Sequence, residues 1–209
     1  MTEKLSEIWQ DPAEAIGELL LGKELDRVAP ALSQVPLLSM AIAVYKSKGA
    51  ISDYLLAKKV QKFYTAWDRL EEKERHDVYK KFQKQPKAFL EKLLFILEQQ
   101  EDLEKCQLLG VLSVLYMQGE LKRVQYMDFI ETVTHLSIGD LGRLTKLSSR
   151  GLILTEKDVS ERYAVLFVTR GLMVTEQPLP EEQRGEEPHT FYRLTPLGLK
   201  LIECMEKRA

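Results

Sequence analysis

VTRGLMVTE (168–176) sets Arg-Gly-Leu between an apolar, helix-like run and a short β-branched piece, and twenty residues earlier SSRGLILTE (148–156) does the same. In each copy a glycine after an apolar run supplies the left-handed residue that ends a helix, and the following leucine turns back toward the core. Gly171 then ends a helix around 163–168, and Gly151 ends one over 141–149. A local solution used twice needs no duplicated domain, so the copies read as two independent caps. Each delivers the chain into an extended segment. The last third of the sequence is therefore a place where helices alternate with short strands.

Beyond the second copy, the β-like pieces 172–175 and 190–194 flank EQPLPEEQRGEEPH (176–189), a Pro- and Glu-rich stretch unsuited to helix or core. The pieces read as a hairpin. A closing helix over 196–207 turns Leu197, Leu201, Ile202 and Met205 inward, with Thr195 as N-cap and Pro196 in its first turn. Helix, Arg-Gly-Leu, strand, polar tip, strand and final helix in this order resemble a winged helix-turn-helix. The likeness is closest where the second wing strand of many bacterial regulators passes into an LT-x-x-G-x-x-L helix, here Leu194, Thr195, Gly198 and Leu201. It covers 140–209.

Upstream, strand signals are nearly absent. Asp11-Pro12 opens a helix-like run over 13–28, and the most apolar stretch of the first part, 35–45, is about half a membrane span. Leu56, Val60, Phe63, Trp67 and Leu70 then mark one stripe of an amphipathic helix. Further helices read over 88–99, 102–117 and 124–136, the third of these four being the most apolar and closed by Gly119. The expected fold is mostly α: a helical module over 1–136, then a winged-helix-like α+β unit with a small β-hairpin over 137–209. The helical part is also similar to helix-rich bacterial proteins of no assigned activity that carry a similar C-terminal unit.

The winged-helix resemblance implies DNA binding, and the residues speak on both sides. The helix 160–171, SERYAVLFVTRG, is largely apolar, and the wing tip sets Glu181, Glu182, Glu186 and Glu187 against Arg184 alone. Carboxylates facing phosphate repel it and release no counterions. The helix GDLGRLTKLSSRG (139–151) is better supplied. The DNA contacts, if any, are Arg143, Lys146, Arg150 and Arg170, with Arg184 reaching from the wing.

A net charge of −2 gives no overall pull toward polyanions, so any bias is local. One local cluster is Lys58, Lys59 and Lys62 beside Tyr54, Phe63, Tyr64 and Trp67, the makings of an anionic-membrane surface, but a core helix with a lysine-rich outer side explains it more simply and is the preferred reading. Motifs for phosphate cradles, zinc proteases or serine hydrolases are missing, and His76, His135 and His189 stand apart. No enzyme activity, metal or cofactor is expected. Cys106 and Cys204, each in an apolar run, read as reduced and buried, and the opening MTEKLSEIWQDPAEA has no secretory pattern, so a cytoplasmic protein is expected. The remaining function class is a regulatory or adaptor protein working through protein contacts, with Tyr163, Leu166 and Phe167 as the interface and a second copy of the chain among the candidate partners. DNA binding is the alternative.

Overall fold

Why the N-terminal helices gather around one of their number is answered by a glycine. A computed structural model describes residues 50–151, 153–176 and 190–207, with side chains from residue 55 onward. The runs expected over 13–28 and 35–45, the Tyr54 side chain, Leu152, His189, Arg184 and the wing glutamates lie outside the described residues. Five helices come first: α1 (Ala50–Tyr64), α2 (Glu72–Gln83), α3 (Lys87–Gln99), α4 (Leu103–Gln118) and α5 (Arg123–His135). A Cβ added at Gly110 in α4 would lie 2.0 Å from the Phe63 carbonyl oxygen in α1, so only glycine lets these two helices meet. From Leu108 to Leu115 every residue of α4 is buried, as the uniform apolar run predicts.

The expected stripe of α1 is inside: Leu56, Val60, Phe63 and Trp67 are buried, while Leu70 is half-buried. The helix stops at Tyr64, before the stripe does, and Trp67 comes from the turn that follows. Its ring meets Phe82 of α2 edge-on at 5.3 Å and Tyr64 at 5.0 Å. The Arg75 guanidinium donates to the carbonyls of Asp68 and Leu70, which ties that turn to α2. One polar pair is buried among these helices. The Ser113 hydroxyl donates to the Leu109 carbonyl and lies 2.9 Å from the Tyr126 hydroxyl, and Tyr126 stacks on Tyr116. Burial raises the Tyr126 phenol well above its ordinary pKa.

The chain divides into two compact units between Ile130 and Glu131, inside α5 rather than in a linker. The second unit holds α6 (Ile138–Ser148), β1 (Ile153–Thr155), α7 (Glu161–Thr169), β2 (Met173–Glu176), β3 (Phe191–Leu194) and α8 (Pro196–Glu206). Helix α6 begins three residues earlier than its apolar pattern suggests. Ser137 caps it, accepting from the Asp140 N–H while its own N–H donates to the Asp140 carboxylate.

The hairpin of β2 and β3 forms with Met173 opposite Leu194 and Glu176 opposite Phe191. It is part of something larger: β1 adds antiparallel to the other side of β3, giving the order β1-β3-β2. Leu154, Met173 and Leu194 line the inner face of this sheet and are buried, while Ile153, Val174 and Arg193 on the outer face are exposed.

The two Arg-Gly-Leu copies prove to be different structures. At Gly171, φ +67°, the Leu172 N–H reaches back to the Phe167 carbonyl and the Gly171 N–H to that of Val168, the paired bonds of a Schellman cap. Gly119 closes α4 with the same pair, from Glu120 to Leu115 and from Gly119 to Tyr116. Gly151 has φ +138°, outside the ordinary left-handed helical window, and its N–H donates to the Ser148 carbonyl. The cap expected there is corrected: α6 ends at Ser148 with Ser149 as a right-handed C-cap, and Gly151 lies two residues beyond it.

The second copy is also gripped from a distance. The Thr195 N–H donates to the Leu172 carbonyl, and the Thr195 hydroxyl donates to the Gly171 carbonyl while accepting from the Gly198 N–H. A Cβ at Gly198 would stand 2.3 Å from the Leu172 carbonyl oxygen. The LT-x-x-G segment is thus the part of the fold that closes onto Arg-Gly-Leu.

Candidate protein-contact surface

Helix α7 is built with two unlike sides. Ala164 and Phe167 are buried, as spacing of three along a helix allows. Phe167, a candidate interface residue whose apolar side could equally have been core, is 0% exposed and belongs to the core. Around the other side run Arg162, Val165, Leu166 and Thr169, of which Val165 is 61% exposed and Leu166 half-buried. The Thr169 hydroxyl donates back to the Val165 carbonyl, so its proton is held within the helix. This side therefore offers aliphatic surface with a guanidinium at one end.

Tyr163 joins α7 to α6. Its ring stacks on Phe167 at 5.8 Å, the Arg143 guanidinium of α6 lies 5.2 Å from its centroid, and that of Arg162 lies 5.8 Å away. Both are cation–π distances. Two of the expected site residues, Arg143 and Tyr163, are thus brought together. Arg162 was assigned no role in the sequence reading, although its spacing of three and four to Val165 and Leu166 was there to be read.

The other expected DNA contacts scatter. Lys146 is exposed on α6 one turn beyond Arg143. Arg150 pairs with Asp158 at 3.7 Å. That carboxylate also accepts from the Thr155 N–H at 3.0 Å and from its hydroxyl at 2.8 Å. The Thr155 bonds, and then the Arg150 charge, hold the Asp158 carboxyl below its ordinary pKa. Arg170 is half-buried at the C-cap of α7.

The lysines considered for a membrane surface are half-buried on α1, and the Lys59 ammonium donates to the Glu98 carbonyl of α3 at 2.7 Å. Phe63, Tyr64 and Trp67, which an interfacial helix would turn outward, are core residues. No described helix is long and apolar enough to cross a membrane. Among the described residues no group of three or more His, Cys, Asp and Glu side chains is placed to hold a metal ion. Comparison with protein families, with curated proteins and with solved structures gives no match to this chain.

Proposed function

We propose that this is a non-enzymatic regulatory or adaptor protein that works through protein contacts made by α7. The observation that carries this reading is the outward side of α7: aliphatic Val165 and Leu166 where a base-reading helix needs donors and acceptors. The cores of protein interfaces are apolar, depleted in Lys and Glu and enriched in Arg, which fits Arg162 one turn from Val165. Both cysteines are buried thiols, and burial pushes Cys106 up to about 12, so it stays protonated and inert; this accords with a cytoplasmic setting.

DNA binding is the second reading, supported by exposed Arg143 and Lys146 on α6 and by an element order in the C-terminal unit that accords with the winged-helix resemblance. Two features weigh against it. Helix-turn-helix pairs are joined by a turn of about three or four residues, whereas β1 lies between α6 and α7. The wing sequence is acidic.

A photo-crosslinking amino acid at position 165, with position 104 as an exposed control, tests the first reading in cells. Adducts with protein at 165 and few at 104 are expected. Absence of protein adducts at 165, together with tight duplex DNA binding at physiological salt that is lost on Arg143→Ala with Lys146→Ala, establishes the second instead.

A further inference from the structure

We infer that the α6–α7 surface takes an acidic segment of a partner protein, its carboxylates on Arg143 and Arg162 and an aliphatic side chain on Val165. This rests on the protein-contact reading of α7 and names the chemistry of the partner. The geometry begins with two guanidiniums, from different helices, converging on the one Tyr163 ring. Among the described residues Arg143, Lys146 and Arg162 have no ion pair, in contrast to Arg150 and Arg193, which pair with Asp158 and Glu176.

Two carboxylates close by in sequence are committed elsewhere. Asp140 closes the Ser137 cap, and Asp158 holds Thr155 and Arg150. Glu161 is at the start of α7, where the helix dipole favours it. Among the described residues these two like charges therefore have no ion-pair partner, and both lie within cation–π distance of one ring. A planar guanidinium binds carboxylate through paired, directed hydrogen bonds, so the pair is preorganised for an anion.

What sits beside the charges decides between a carboxylate on a protein and a phosphate on a nucleic acid. Val165 and Leu166 lie one turn along α7 from Arg162 and share its outward side. A phosphodiester backbone has nothing to offer that aliphatic surface, whereas an acidic peptide with an interspersed leucine or valine satisfies both halves.

The test uses the whole chain and fluorescence anisotropy. The probe is a fluorescein-labelled peptide of Glu-Glu-Leu repeats, run against a Lys-Lys-Leu peptide, a Glu-Glu-Ser peptide and a mixed-sequence DNA duplex. The Glu-Glu-Leu peptide is expected to bind, more weakly as salt rises. Arg143→Gln with Arg162→Gln is expected to raise its Kd by about tenfold or more. Val165→Ser is expected to weaken Glu-Glu-Leu but not Glu-Glu-Ser.

Arg143→Glu with Arg162→Glu should exchange the preference and bind Lys-Lys-Leu, a gain that a misfolded variant cannot mimic. No binding of Glu-Glu-Leu, or binding indifferent to the charge exchange, overturns the inference. So does a duplex that binds more tightly with the same arginine dependence, which makes this a phosphate site. Protein adducts at position 165 with no Glu-Glu-Leu binding refute the partner chemistry and leave the protein-contact reading intact. Glu-Glu-Leu binding without adducts supports the anion site and removes the adaptor.

Discussion

After Thr169 the chain closes a Schellman cap through Gly171 and Leu172, and α8 then fastens onto it through Thr195 and Gly198. After Ser148 the described residues Arg150 and Gly151 make short backward bonds to Leu147 and Ser148, and Gly151 takes φ +138°. Identical letters thus follow a helix in both places, and at the second a distant segment takes up the carbonyls of Gly171 and Leu172. A glycine marks where the backbone must be unusual; what approaches it is a property of the fold.

The largest expected effect breaks that distant grip. Gly198→Ala puts a methyl group into the Leu172 carbonyl, a backbone atom that cannot swing aside, and should cost about 1–3 kcal/mol in urea denaturation. Alkylation of Cys204, buried in α8, should accelerate in parallel.

Gly171→Val comes next. Nothing crowds its Cβ, but the β-branched residue must adopt φ +67°, at a cost of about 1–2 kcal/mol. Asparagine sharpens the comparison: Gly171→Asn should lose only a few tenths of a kcal/mol, about as much as a left-handed cap tolerates. Gly151→Asn should fare worse than Gly171→Asn, because φ +138° lies outside the window asparagine favours. Equal melting temperatures for the two Asn variants would erase the distinction between the copies.

Thr195→Val keeps the shape and removes the hydroxyl that bridges Gly171 and Gly198, with an expected loss of about 1 kcal/mol.

The smallest effect probes the first copy. The folded pKa of Asp158 is depressed, so its contribution is present above the ordinary aspartate value of about 3.9 and fades as pH falls below it. The melting-temperature gap between the native protein and Asp158→Asn should therefore narrow between about pH 5 and about pH 2. A constant gap would show that the Thr155–Asp158–Arg150 group does not stabilise the turn through its charge.

Much of the fold was legible because helices advertise themselves locally. The Leu56–Phe63 stripe, the apolar α4 and the Thr195-Pro196 start are all periodicity or capping signals within a few residues. Ser137 and Asp140 were legible too, as a capping box starting directly before Ile138, yet α6 was begun at Leu141. Gly110 and Gly198 could not be read, because the carbonyls they accommodate are 47 and 26 residues away in sequence. The pairing of β1 with β3 was hidden for the same reason: a three-residue strand carries little register information of its own. The candidate surface was half legible. Tyr163 and Arg143 were singled out, but periodicity fixes the spacing of a helix's two sides and not which one is outward, so Phe167 stood open between core and interface and Val165 was overlooked.

The central position of β3 has a consequence for the order in which the sheet is made. Among the described residues both other strands pair only with it, and it is the last of the three to leave a ribosome. Until residues 191–194 emerge, Ile153–Thr155 and Met173–Glu176 have finished backbones and no ladder to join. A premature stop anywhere before residue 190 would therefore cost the protein its whole sheet rather than a single strand, and would leave two unsatisfied extended segments for chaperones or proteases to meet.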